Sequence, residues 1–119
     1  MDERQALMAF AALSQETRLR LLRQLVIAGS DGLAAGTLAV EAGVSASNVS
    51  FHLKELEGAG LIGSRREGRS IIYNAAYPAL SGLIAFLMQD CCQGRPEVCT
   101  PAVSALADCC TVDAEAVHA

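Results

Sequence analysis

No run of apolar residues in this 119-residue chain approaches the roughly 20 needed to cross a bilayer as a helix. The opening residues, Met1-Asp-Glu-Arg-Gln-Ala-Leu-Met-Ala-Phe10, put acids where a secretory leader carries positive charge, and no cleavage-type segment follows. These absences point to a cytoplasmic protein with no membrane partner. There is no internal repeat. No glycine-rich phosphate loop precedes any of the five cysteines, which argues against a small thiol-dependent enzyme. Charged residues are sparse at 18% and aromatics make up 4%, yet 52% of positions are hydrophobic, too many for a chain disordered in bulk. The length suits one domain, and so short a chain often gains buried surface by dimerising.

A net charge of −4 would ordinarily count against nucleic acid, but the charge is unevenly placed. Residues 44–75 carry Lys54, Arg65, Arg66 and Arg69 against Glu55, Glu57 and Glu67, while the tail from residue 76 holds Arg95 against five acids. A local cluster of three arginines within five residues is enough for phosphate contact, because such contacts are made locally. The cysteines fall after residue 90 in the pattern Cys-Cys-x6-Cys-x9-Cys-Cys, unlike the Cys-x2-Cys pairs of zinc ribbons. In a reducing compartment metal binding, redox work and simple burial are their candidate roles.

Hydrophobic spacing predicts a mostly helical chain with one β-hairpin. A first helix covers residues 3–13, with Leu7, Phe10 and Ala11 on its stripe. Ser14 is the expected N-cap of a second helix, 15–28, whose stripe is Leu19, Leu22, Arg23 and Val26. A short helix over 35–42 turns Leu38 inward and ends at Gly43. Ser45 then caps a helix from Ala46 to about Ala59, with Val49, Leu53 and Leu56 facing the core. Residues 61–66 and 70–74 flank Glu67-Gly68-Arg69 as an antiparallel hairpin. Pro78 opens a strongly apolar helix to about Asp90, with Leu80, Leu83, Ile84 and Leu87 on one side. Thr100-Pro101 reads as an N-cap and first helical position. The expected division is 1–90 as a folded domain and 91–119 as a cysteine-rich tail.

Residues 35–59 have the form of a helix-turn-helix with Gly43-Val44-Ser45 as the turn. In such motifs the start of the second helix meets base edges, here Ser45, Ala46, Ser47 and Asn48 and, one turn on, Ser50 and His52, and Lys54 is counted with them as a DNA-binding residue. Asparagine can bond adenine bidentately, and serine can bond several bases. Taken alone, the helix also fits a plainer account in which Ser45 caps and the others are solvated. A basic hairpin directly after it, with Arg65, Arg66 and Arg69 around its tip, favours contact with flanking phosphate or minor groove.

Ser47-Asn-Val-Ser-Phe-His-Leu-Lys-Glu-Leu56, Ala59-Gly-Leu-Ile62, Arg65-Arg-Glu-Gly-Arg-Ser70 and Tyr73 resemble the ArsR/SmtB family of metal-responsive winged-helix repressors. The resemblance covers about residues 5–90. It implies a homodimeric winged helix-turn-helix fold, binding to double-stranded operator DNA, and release when a metal or metalloid binds. Residues 46–59 would be the recognition helix and 65–70 the wing tip. The first helix and the helix over 78–90 would form the dimer interface. Two of the family's ligand sets are absent. No cysteine lies near Leu33–Ala39, and residues 78–90 offer Asp90 but no histidine.

What remains is Cys91, Cys92 and Cys99, which resemble the C-terminal arsenic site of some arsenic-responsive members. Thiolates are soft ligands, and As(III) or Sb(III) commonly takes three sulfurs in a pyramid, whereas zinc prefers a fourth donor. Cys91 and Cys92 also continue the apolar spacing of the preceding helix, so burial is an alternative for them. Cys99 follows a polar stretch, Gln93–Glu97, and has no such account. Two further readings stay open, a thiol-redox repressor and a sensor of methylated trivalent arsenicals. Cys109 and Cys110 are spare ligands, half of a second site, or packing residues.

Overall fold

The computed structural model describes residues 1–89 together with Glu97, Thr100, Pro101, Ser104 and Ala105, which are helical and exposed. The chain divides into two units, Met1–Phe86 and Leu87–Ala119. Helix α1 spans Glu3–Leu13, α2 Glu16–Ala28, α3 Ala35–Ala42, α4 Ala46–Gly58 and α5 Tyr77–Met88. A 3-10 turn, Gly29–Asp31, and strand β1, Leu33–Ala34, separate α2 from α3, and β2, Ile62–Glu67, and β3, Ser70–Ala75, follow α4.

Helix α1 starts from a reciprocal cap. Asp2 Oδ1 accepts from the Gln5 N–H at 2.8 Å, and Gln5 Oε1 accepts from the Asp2 N–H at 2.9 Å. Its inward face is Ala6, Ala9 and Ala12, while Leu7, Met8 and Phe10 are exposed. The expected stripe of Leu7, Phe10 and Ala11 is thus turned outward. Side-chain size misleads here, because alanines let α1 lie close against the helices beneath it. Ser14 does not cap α2 either: its hydroxyl donates to the Ala11 carbonyl at 2.8 Å and closes α1. Gln15 takes the capping role, with Oε1 accepting from the Arg18 N–H at 2.9 Å. In α2 the buried residues are Leu21, Leu22 and Leu25, and Leu19 and Val26 face out.

Gly43 ends α3 in the left-handed conformation at φ +69°, as the sequence indicates. The Ser45 hydroxyl accepts from the Asn48 N–H at 3.2 Å and sets the start of α4. Leu38 of α3 and Val49, Leu53 and Leu56 of α4 are all buried in one core with the α2 leucines, Leu61 and Ile62. Those shared contacts fix the angle between α3 and α4.

The hairpin is antiparallel, in register from Ile62 opposite Ala75 to Glu67 opposite Ser70. Gly68, at φ +62°, forms its tip. The short strand β1 was not expected. It pairs with β3 through Leu33 opposite Tyr73 and Ala34 opposite Ile72, giving the order β1-β3-β2. Gly32 makes this possible. Its φ is +69°, and a Cβ there would lie 2.4 Å from the Tyr73 carbonyl oxygen. Gly32→Ala should therefore combine backbone strain with a clash and lower Tm by on the order of 10 °C. A Tm within about 2 °C of the parent would contradict the close approach.

Helix α5 corrects one grouping. Leu80, Leu83, Ile84 and Leu87 do not form one free face: Leu83 is 7% exposed in the protomer's own core and Leu80 packs against it, whereas Ile84 and Leu87 are exposed. Thr100 is itself helical rather than flanking a helix. No helix among the described residues is long and apolar enough to cross a membrane.

Candidate nucleic-acid interface

Helix α4 is two-sided. Val49, Leu53 and Leu56 hold one side in the core, so the residues half a turn away must face solvent. Those are Ser47, Phe51, Lys54 and Gly58, spaced i, i+4, i+7 and i+11 and all exposed. Ser45, Asn48 and Ser50 are exposed beside them near the N-terminal end. Ser45 and Ser47 hydroxyls lie 3.3 Å apart. Small polar groups at a free helix start suit entry into a major groove. Lys54 also borders a cavity of about 380 Å³ between α1, α2 and α4, together with Arg18 and Met8.

His52 stands apart from this set. It is half-buried, and its Nδ1 is buried without a hydrogen-bond partner among the described residues. It lies on the flank of the core stripe rather than on the outward one. Phe51, which sequence reasoning passed over, occupies the outward position instead. Counting residues around the helix from Val49, Leu53 and Leu56 would have found it.

The three arginines of the hairpin also divide. Arg65 is held by the protein itself. Its Nη2 donates to the Asp31 carbonyl at 2.8 Å and its Nη1 to the Ser30 carbonyl at 3.3 Å and to Asn74 Oδ1. Its Nε donates to Glu67 at 3.2 Å. Asn74 Nδ2 donates to the same Ser30 carbonyl at 2.8 Å. Arg65 and Asn74 together fasten the hairpin to the turn after α2. Asn74 had no sequence signal, since the Ser30 and Gly29 carbonyls that its amide meets lie more than 40 positions away. Arg66 and Arg69, by contrast, are exposed and have no ion-pair partner among the described residues.

Two more contacts fasten the hairpin and α5 to their neighbours. The Ser64 hydroxyl donates to Glu57 Oε2 at 2.8 Å, tying β2 to the end of α4. Tyr77 donates its hydroxyl proton to the Val26 carbonyl at 2.9 Å, tying the start of α5 to α2. Burial, and secondarily the nearby Glu57 carboxylate, raises the Tyr73 phenol above its ordinary value of 10.0.

The geometry separates the arginine roles experimentally. Arg66→Ala and Arg69→Ala should each flatten the salt dependence of DNA affinity by about one unit of slope with little change in Tm. Arg65→Ala should lower thermal stability, because it frees the hairpin from the turn after α2. This departs from the expectation that all three meet phosphate. A Tm unchanged in Arg65→Ala, with a slope loss like that of its neighbours, would restore the original grouping.

Cys91, Cys92 and Cys99, and likewise Cys109 and Cys110, lie outside the described residues. Among the described residues no group of three or more His, Cys, Asp or Glu is placed to hold a metal ion.

A helix-turn-helix packed on a short sheet whose basic hairpin follows the second helix is the architecture of a winged-helix DNA-binding domain. The chain matches a family model described as a helix-turn-helix domain over residues 13–65. It is 36% identical over 88 residues to the HTH-type transcriptional regulator YgaV of Escherichia coli strain K12, spanning 74% of this chain and 87% of that one. An ArsR-like transcriptional regulator from Rhodococcus sp. RHA1 superposes with a TM-score of 0.63 and 29% identity, covering 91% of this chain and 92% of that one. A homodimeric winged helix-turn-helix DNA-binding domain from Mycobacterium bovis, a possible ArsR-family regulator, superposes with a TM-score of 0.57 and 28% identity, covering 71% and 75%. The chain belongs to the ArsR-like family of winged-helix transcriptional regulators.

Proposed function

We propose that this regulator is a repressor that binds operator DNA as a homodimer and is released when As(III) or Sb(III) binds Cys91, Cys92 and Cys99. The DNA half rests on one observation, the outward stripe of α4 with small polar groups at its free N-terminal end, followed in the chain by a hairpin that exposes Arg66 and Arg69. Two such helices entering one duplex face require half-sites about 34–36 Å apart, hence an inverted repeat.

The dimer reading is supported by apolar residues left uncovered on adjacent helices. Leu7 and Phe10 of α1 and Ile84 of α5 are exposed, and Gly82 of α5 sits against Met1, its added Cβ falling 3.6 Å from the Met1 Cβ. The Mycobacterium bovis neighbour is homodimeric.

The inducer half rests on the thiol pattern in the sequence. Three soft thiolates match a thiophilic ion that takes three sulfurs. A ligand can release DNA only by favouring the arrangement that binds DNA weakly, so DNA must weaken metalloid affinity by the same factor. X-ray absorption of arsenite-loaded protein, with DNA binding measured on the same sample, tests the proposal. Three sulfur neighbours and DNA release support it. Two sulfurs would favour a methylated arsenical, and DNA release by peroxide but not by arsenite would favour the thiol-redox alternative.

A further inference from the structure

Phe51 is 58% exposed on the second turn of α4, in line with Ser47 and Lys54 and directly opposite the buried stripe. Single exposed apolar residues are common and need no explanation by themselves. The position of this one gives it meaning. It lies one turn beyond Ser47 and Asn48, where a helix entering the major groove is still within reach of base edges. Its ring meets the half-buried His52 ring edge-on, with centroids 5.4 Å apart and planes at 67°. That contact gives the ring a fixed neighbour on the core side and leaves its other side free.

A phenyl ring has no hydrogen-bonding group for a base. The major groove presents one apolar group, the C5 methyl of thymine. We propose that Phe51 is a specificity-determining residue that packs against a thymine methyl in each half-site of the operator. The inference rests on the operator-binding reading above and adds to it the identity of a base. Ser47 and Asn48 would supply polar readout and Phe51 the apolar part. Lys54, next along the stripe, carries charge toward phosphate and so contributes to salt dependence, which Phe51 does not.

The test starts from duplexes enriched by the wild-type protein from a randomised library. Each thymine of an enriched duplex is then replaced by uracil, which removes only the methyl group. Wild-type affinity should fall at one position per half-site by about fourfold, the expected worth of one buried methyl, and by about 15-fold when both half-sites are changed. Phe51→Ala should bind the thymine duplex that much more weakly and be indifferent to uracil, with its salt slope and Tm unchanged because the side chain is exposed. Phe51→Leu should recover part of the discrimination. Enriched duplexes on which the wild type ignores uracil at every position would overturn this inference alone. A Phe51→Ala protein that still discriminates uracil, or that changes mass in gel filtration, would overturn it in favour of a protein contact at Phe51. Failure to enrich any duplex would overturn the operator-binding reading and this inference with it.

Discussion

Replacing Cys99 by Ser should leave the protein bound to its operator in the absence of metalloid yet unresponsive to arsenite. Cys91→Ser and Cys92→Ser should behave alike, whereas Cys109→Ser and Cys110→Ser should respond almost as the parent does. The argument is one of donor count. Losing one of three thiolates removes a soft donor that a hydroxyl cannot replace, so the ion is held by two sulfurs at most. The folded unit Met1–Phe86 contains no cysteine, so the residues proposed to face DNA are untouched by these substitutions. The measurement is a titration of operator complex with arsenite, expected to need at least tenfold more arsenite for Cys99→Ser, about 1.4 kcal/mol in coupling. Should Cys99→Ser dissociate at the parental arsenite concentration, the three-thiol site is wrong and Cys109 or Cys110 becomes the third donor to test.

An aspartate at position 84 should abolish assembly without unfolding the protomer. Ile84 is 44% exposed and Leu7 is 62% exposed, so a charge at either costs little in an isolated chain. In a two-fold dimer each substitution appears twice, and each buried unpaired charge costs several kcal/mol. Dimer affinity should fall by roughly a thousandfold or more. Sedimentation should then show folded monomers, and operator affinity should collapse because half-sites are no longer engaged together. The buried Leu83 is the contrasting control: Leu83→Asp should unfold the protomer itself. Dimers of undiminished affinity in both Ile84→Asp and Leu7→Asp would place the interface elsewhere.

Much of the fold was legible because the decisive signals are local. Ser45 capping α4, Gly43 ending α3, the Val49, Leu53 and Leu56 stripe and the hairpin around Gly68 each depend on residues within about one turn of one another, and each stands where its spacing places it. The errors came where two faces of one helix were both apolar. In α1 periodicity alone cannot say whether large side chains or alanines face inward, and the alanines do; in α2 aliphatic residues lie on both faces, and Leu21, Leu22 and Leu25 are the buried ones. Ser14 was the expected cap of α2, but its hydroxyl bonds back to Ala11 and Gln15 caps the helix instead. The candidate interface was partly legible. Small polar residues at the start of α4 and arginines on the hairpin mark it by composition. The partition among those arginines was invisible, because Arg65 is claimed by Ser30, Asp31 and Asn74, brought to it only by the folded sheet.

The alanine face of α1 has a consequence for how the molecule holds together. Its three buried methyl groups contribute only about 2–3 kcal/mol of hydrophobic stabilisation, with Leu13 packed partly buried beside them. In a lone protomer α1 is therefore a lightly held segment, prone to local opening while α2, α3 and α4 stay shut. In the proposed dimer a second chain covering Leu7 and Phe10 would add burial, so that pairing of chains and closure of α1 would become one equilibrium governed by protein concentration. Dilution alone would then loosen the first helix before it disturbs the helices proposed to meet DNA.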